Sequence, residues 1–252
     1  MGTSTIHPSA IIDSQAELGD EVEVGEYCVI KGKVHLGDRC QLLNHVTIYG
    51  PTTIGKDNRF YSFASIGQRS QDLKYTGEPT FLTIGDGNCF REFVTVHRAT
   101  EPDNCTRIGN GGNFLAYSHI AHDCVVGNCV IFSNNGTLAG HVTVDDGAII
   151  GGLSAVHQFC RIGRFAMTGG CTKVVKDVPP FMIADGNPAE IRSINSVGME
   201  RNHFPAETIR EVKEAFRLIY RSGLNTNQAL EQIRAQLPNS NEIKQISPIQ
   251  CV

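Results

Sequence analysis

A period of six residues, held over two thirds of the chain, limits its fold more than any other feature. An Ile, Leu or Val followed by Gly occurs at Leu18, Val24, Leu36, Ile54, Ile66, Ile84, Ile108, Val126, Ile150 and Ile162, and every one of these positions is a multiple of six. Taking every sixth residue from Ile6 to Val174 gives 29 positions, 25 of them apolar, with Asp72, Glu78, Pro102 and Thr168 as the exceptions. Three of those four sit in polar stretches, so segments near 68–80 and 97–107 are expected to be loops thrown out of a repeating body. Four residues after each anchor runs a second register of small side chains, including Ala10, Ala16, Cys28, Cys40, Ala64, Ser118, Cys124, Ala148 and Cys160.

Two inward positions per six residues match the hexapeptide parallel β-helix, in which three short strands and their turns make one triangular coil. A coil then takes about 18 residues, and successive coils stack at strand spacing, about 4.8 Å. A sandwich of unrelated strands also gives Gly-punctuated apolar runs, but it has no reason to keep phase for so long. Similarity to hexapeptide-repeat proteins implies a left-handed coil, an exception to the usual right-handed crossover. The phase stops near Pro179-Pro180, and after Gly186-Asn187-Pro188 the spacing of Ile209, Val212, Phe216, Ile219 and Tyr220 turns helical, with Gly223 just past the end. A further helix is expected after Asn225, carrying Leu230, Ile233 and Leu237. The chain therefore reads as a mainly β protein: a left-handed parallel β-helix over 1–188, then a C-terminal α-helical domain over 189–252 that caps the last coil.

Composition narrows the function classes. Tryptophan is absent and aromatics are 7% of the 252 residues, so small and branched side chains rather than large rings are expected to fill the core. A net charge of −4 argues against a protein that wraps nucleic acid. No apolar run is long enough for a membrane span, and the start lacks a signal peptide and the myristoylation pattern, which predicts a soluble cytoplasmic protein. Nine cysteines without a C-x-x-C pair disfavour a disulfide framework or a zinc knuckle, and Cys28, Cys40, Cys124 and Cys160 fall in the small inward register, where a thiol acts as a small hydrophobe.

Residues 18 apart lie one above another, so 122, 140 and 158 form a column, with His141 and His157 beside it on successive coils. None of these histidines occupies an inward register. A single turn histidine is ordinary polar surface; three in a strip beside Asp123 suggest either a zinc site or general-base catalysis. The fold also resembles hexapeptide-repeat carbonic anhydrases, whose His-x4-His pair differs from the His119-x2-His122 found here. A zinc-dependent hydratase, an acyltransferase and a non-catalytic scaffold all stay open on spacing alone.

More specific stretches are Gln71-Asp72-Leu73-Lys74-Tyr75, Gly77-Glu78-Pro79-Thr80, His97-Arg98, His119-Ile120-Ala121-His122-Asp123-Cys124, Leu138-Ala139-Gly140-His141 and Ala155-Val156-His157-Gln158-Phe159. With the tail Leu218-Ile219-Tyr220-Arg221-Ser222-Gly223, they make nearly the whole chain resemble the acyl-ACP:UDP-N-acetylglucosamine O-acyltransferases of lipid A biosynthesis. That resemblance implies transfer of a 3-hydroxyacyl chain from acyl carrier protein to the 3-hydroxyl of a UDP-sugar, with no cofactor and no metal. It implies His122 as general base, Asp123 as its orienting partner, and the Gly140 N–H as oxyanion donor. His119, His141, His157 and Gln158 would line the sugar and acyl pocket, Asp72 and Lys74 would reach in from the long loop, and Asn195 and Arg201 would bind the nucleotide. A homotrimer with sites at subunit boundaries is implied too. Val197 stands where many members carry Glu, and Asn202 where a basic residue is frequent, a departure that bears on nucleotide affinity and on the preferred sugar, 3-hydroxyl or 3-amino. Gly170 falls where side-chain bulk sets acyl length, which favours a chain near C14 over C10. Arg161, Arg164, Lys173 and Lys176 make the last coils basic and are either a solvated face or a docking patch for the acidic carrier.

Overall fold

In the computed structural model, which describes residues 2–237 and 240–246, the six-residue phase becomes strands of two to five residues. Consecutive strands go to three different sheets of eleven, nine and eight strands, parallel except for one pair at the end. Thr5 pairs with Glu23, Ile11 with Val29 and Glu17 with His35, one coil each. Where the loops leave the body the register jumps, Arg59 to Cys89 and Cys89 to Asn113, then returns to Asn113 with Ile131. The excursions thus insert whole hexapeptide lengths, which is why the phase survives them.

Anchors such as Ile30, Ile48, Ile66, Val96, Ile120 and Leu138 are fully buried, and the small-register residues of the coils are buried from Val22 onward, Thr76 in the long loop being exposed. The expectation of a core without rings is wrong in one column. Phe60, Phe90, Phe114 and Phe132 are completely buried and stack on successive coils at centroid spacings of 5.0, 4.7 and 5.2 Å. The coil rise is close to an aromatic stacking distance, so a ring fits wherever its neighbours above and below are also rings.

The glycine after each anchor answers to coil–coil approach. At Gly37 a Cβ would lie 2.5 Å from the Gly55 carbonyl carbon. Left-handed backbone falls two residues later, mostly on non-glycine residues at the corners, including Asp123 (φ 58°) and His141 (φ 61°). Two corner columns flank the second sheet. One, entering it, carries Tyr27, His45, Phe63, Phe93 and Tyr117; the other, leaving it, carries Asp123, His141 and Phe159.

Past Pro188 the chain first adds a strand, Glu190–Ile194, antiparallel to Met182–Asp185, so the sheet extends beyond the boundary expected from sequence. Helices α1 (Ser196–Arg201), α2 (Ala206–Tyr220), α3 (Thr226–Gln236) and α4 (Asn241–Ile246) complete the described chain. α2 buries Val212, Ala215 and Leu218, and α3 begins on an Asn225–Gln228 capping box and buries Ala229 and Ile233. The expected faces are the buried ones.

Candidate active site

The second sheet and the corner after it form the floor of a groove of about 440 Å³, lined by Asp72, His119, His122, His157, Lys173 and apolar residues around Leu138 and Val156. Within it His122 Nδ1 lies 2.9 Å from Asp123 Oδ2. The Asp123 side chain is 5% exposed, and the same oxygen accepts the Thr100 N–H at 2.9 Å. Asn104 Nδ2 reaches the other oxygen at 3.4 Å, and the Asp123 N–H donates to Thr106 Oγ1 at 2.9 Å. A carboxylate beside Nδ1 holds the proton there, so the lone pair of the imidazole sits on Nε2. His141 packs edge-on against His122 at 5.2 Å, with Nε2 3.8 Å from Asp123 Oδ2, and stacks on Phe159 at 4.8 Å.

Gly140 is one coil beyond His122, and a Cβ there would come within 2.3 Å of His122 Cε1 and 2.5 Å of Nε2. Only a glycine lets the ring lie flat over this corner. The Gly140 N–H donates to no acceptor among the described residues, as at the same corner position of the adjacent coils. At Gly140 that free N–H sits at the residue over which the His122 ring lies.

A second histidine layer lies behind the first. His119 Nδ1 is 2.7 Å from Thr95 Oγ1, and burial, then the nearby His122, holds His119 below the usual histidine range. His97 meets His119 edge-on at 4.8 Å; burial first, then the two neighbouring imidazoles, push it down to about 4. Both rings are neutral near pH 7, the state in which clustered imidazoles do not repel.

The family is settled by likeness along the whole chain. Residues 177–248 match the family model described as Udp N-acetylglucosamine O-acyltransferase, domain 2. The chain is 50% identical over 236 residues to the acyl-[acyl-carrier-protein]–UDP-N-acetylglucosamine O-acyltransferase of Verminephrobacter eiseniae (strain EF01-2), covering 93% of this chain and 90% of that one. The chain belongs to the UDP-N-acetylglucosamine O-acyltransferase family. Among solved structures, the family member from Moraxella catarrhalis RH4 is 44% identical with a TM-score of 0.91 over 96% of this chain and 95% of that one. That from Bacteroides fragilis 9343 is 36% identical with a TM-score of 0.93, at 96% and 95% coverage. Family membership makes the coil left-handed and the protein an acyltransferase.

In this UDP-N-acetylglucosamine O-acyltransferase family member, most of the expected site residues share one corner. His122, Asp123, Gly140, His119 and His141 come together there. His157 and Asp72 line the same groove, and Gln158 is next to His157, its carbonyl 3.2 Å from His157 Nδ1. Lys74 is exposed on the long loop, where its N–H caps the Asp72 carboxylate at 2.9 Å. Gly170 has open space beside it, the nearest atom to a Cβ being Gly152 O at 3.6 Å. Asn195 and Arg201 lie outside this groove. Asn195 is 4% exposed, caps α1 through the Gly198 N–H and donates to Phe165 O at 2.9 Å. Of the basic residues of the last coils, Arg161 and Arg164 line one pocket, whereas Lys173 and Lys176 each line a different one. Arg161 is bidentate to Asp145 on the third sheet, Arg164 lies over Phe165 and Phe204, and Lys173 belongs to the histidine groove.

Ligand atoms of His122, Asp123 and His141 lie within 4.8 Å of one another, close enough to gather a cation. The atom central to that set, Asp123 Oδ2, already takes the Thr100 N–H and faces His122 Nδ1, which uses both of its lone-pair directions. The arrangement suits an oriented base. Sequence reasoning missed Thr95, Thr100 and Thr106 and did not place His97 in the site; the His97-Arg98 motif was the one signal that could have found it.

Proposed function

We propose that the protein transfers a 3-hydroxyacyl chain from acyl carrier protein to the 3-hydroxyl of the GlcNAc unit of UDP-N-acetylglucosamine, the first step of lipid A biosynthesis. The observation that carries the residue roles is the His122 Nδ1–Asp123 Oδ2 contact of 2.9 Å at the wall of the groove. In this mechanism His122 Nε2 takes the proton of the sugar hydroxyl as its oxygen attacks the thioester carbonyl. Negative charge gathers on that carbonyl oxygen and meets the Gly140 N–H. As the tetrahedral species collapses, the C–S bond breaks, the ester remains on the sugar, and the departing thiolate takes the proton from His122. Atoms and charge balance without a cofactor. A positioned base contributes about 10²- to 10⁴-fold, and an oxyanion donor about 10²- to 10³-fold. His119, His141, His157, Gln158, Asp72 and Lys74 hold the sugar and the acyl carbonyl in place, Asn195 and Arg201 serve the nucleotide, and the open space at Gly170 accommodates an acyl chain near C14.

The molecule acts as a homotrimer in the cytoplasm. Support for assembly comes from the corner entering the second sheet, where Tyr27, His45, Phe63, Phe93 and Tyr117 form one continuous stack at 4.8 to 5.1 Å. Tyr27 is 61% and Tyr117 56% exposed, a row of rings no isolated soluble chain benefits from showing. The outer face of the second sheet, with Ile11, Thr47, Ser65 and Thr95, runs from this ladder to the histidine corner. A second copy laid on that face covers the rings and closes the groove over His122, which lets Asn195 and Arg201 of a neighbour approach a site they do not reach within one chain. Among the described residues no helix is long and apolar enough to cross a membrane.

The test compares UDP-N-acetylglucosamine with its 3-amino counterpart, using a long 3-hydroxyacyl carrier-protein donor. Ester formation on the 3-hydroxyl sugar is the expected outcome. Exclusive amide formation on the amino sugar contradicts it.

A further inference from the structure

The two loops that leave the β-helix are joined to each other and to the catalytic carboxylate by a short run of hydrogen bonds. Ser70 Oγ lies 2.6 Å from Thr100 Oγ1, and both residues are 5% exposed. The Ser70 hydroxyl also accepts the Asp72 N–H at 3.1 Å. Thr100 then donates its own N–H to Asp123 Oδ2 at 2.9 Å, the oxygen that faces His122 Nδ1. So the loop bearing Asp72 is connected, through two buried hydroxyls and one backbone amide, to the group that orients the base.

This is an odd place for two hydroxyls if they only hold loops together. Buried polar atoms are kept where their bonds fix a geometry, and a hydroxyl pair can accept and donate in a defined sense only when both partners stay in register. The Thr100 N–H meets Asp123 because residues 98–104 take this path; backbone bonds hold its ends, the Arg98 N–H to Gln68 O at 2.9 Å and the Asp103 N–H to Pro79 O at 3.0 Å, while at Thr100 itself the Ser70 hydroxyl is the side-chain contact.

We propose that Ser70 and Thr100 are positioning residues for the acyl transfer: their hydroxyl pair sets the substrate loop and the Asp123 carboxylate in one fixed relation. The proposal rests on His122 and Asp123 being the catalytic pair. It makes loop placement and base orientation a single variable. Losing the pair then lowers kcat and raises KM together, because Asp72 shifts in the groove while Asp123 loses its aim. Misplacing reacting groups by about 1 Å costs about 10²-fold, and a partial slip here is expected to cost about tenfold in kcat/KM.

The experiment uses the full-length protein with Ser70→Ala, Thr100→Val and the double variant, with Thr100→Ser and Ser70→Thr as conservative controls. Steady-state acyl transfer is measured beside thermal unfolding. Expected are about tenfold losses in kcat/KM for each truncation, split between kcat and KM, a double variant no worse than the worse single one, and near-native rates for Thr100→Ser. Wild-type kcat and KM in Ser70→Ala and Thr100→Val overturn the proposal, as do fully additive losses that Thr100→Ser does not relieve. His122→Ala is run alongside: if it stays active the underlying assignment of the base fails, whereas an inactive His122→Ala with unaffected Ser70 and Thr100 variants refutes the positioning role alone.

Discussion

Replacing Gly140 by Ala is the most informative single change in this molecule. The backbone there is outside the left-handed region, so alanine costs no torsional strain, and its N–H remains in place for an oxyanion. What changes is steric. The new Cβ would lie 2.3 Å from His122 Cε1 and 2.5 Å from Nε2, against an ordinary carbon contact of about 3.5 to 4 Å. The ring must retreat by roughly 1 Å or more. It cannot do so and keep Nδ1 2.9 Å from an Asp123 that is itself tied to Thr100 and Thr106. A displacement of about 1 Å at a reacting group costs about 10²-fold. The expected loss in kcat/KM is therefore about a hundredfold, or about 2.7 kcal/mol of transition-state stabilisation. The assay is transfer from 3-hydroxytetradecanoyl carrier protein to UDP-N-acetylglucosamine, with thermal unfolding measured in parallel. Unfolding should move little, because the clash falls on a partly exposed corner side chain. Gly152→Ala is the control, since a Cβ there meets nothing nearer than 3.4 Å and should leave activity unchanged. A Gly140→Ala enzyme within twofold of wild type refutes the claim that the flat seating of His122 matters.

Other perturbations probe the acyl groove, the buried histidine and the aromatic ladder. Gly170→Met should move the preferred donor from C14 toward shorter chains in a competition assay, because the side chain takes up the open space beside Gly152 O that the proposal gives to the acyl chain; an unchanged C14 preference, or a wild type that favours C10, contradicts the assignment. Stability should fall as pH drops from about 6.5 toward 4: His97 is held neutral in the fold at about 4 against an ordinary 6.5, so the unfolded chain binds the proton first, a loss of about 3 kcal/mol once both are passed. His97→Gln should flatten that part of the unfolding profile, and an identical profile argues against a buried neutral imidazole. Sedimentation should give an active species of about three times 27.4 kDa, and Phe93→Glu with Tyr117→Glu should reduce both mass and activity; a fully active 27.4 kDa monomer overturns assembly around the aromatic ladder.

Much of the fold was visible in the residues because a six-residue phase leaves little freedom: once Leu18 and Ile162 share a phase, every strand between them has its face assigned. The buried column of Phe60, Phe90, Phe114 and Phe132 was misjudged because composition counts rings without saying that they lie on successive coils, where stacking makes their size harmless. Asn58 and Asn88 also occupy the small register, a place for apolar side chains, and are stable there because Asn88 Nδ2 bonds Asn58 Oδ1 at 3.0 Å and both reach glycine carbonyls. The histidine column was legible as spacing, and resemblance supplied the roles. The grip on Asp123 was not, since Thr100 comes from a loop whose path no periodicity describes, and Thr106, a small-register residue of the strand Cys105–Ile108, carries no sequence sign of its bond to the Asp123 N–H. Asn195 shows the converse: its match to a nucleotide position says nothing of the capping bonds to Gly198 and Phe165 that occupy its side chain within a single chain.

The most direct test of the catalytic assignment is acyl transfer by His122→Ala, measured with 3-hydroxytetradecanoyl carrier protein and UDP-N-acetylglucosamine at saturating concentrations. With folding intact by thermal unfolding, kcat should drop by about 10²- to 10⁴-fold, the contribution of a positioned base. A His122→Ala protein that is folded and retains more than a tenth of the wild-type rate would contradict the assignment of His122 as the group that takes the sugar proton.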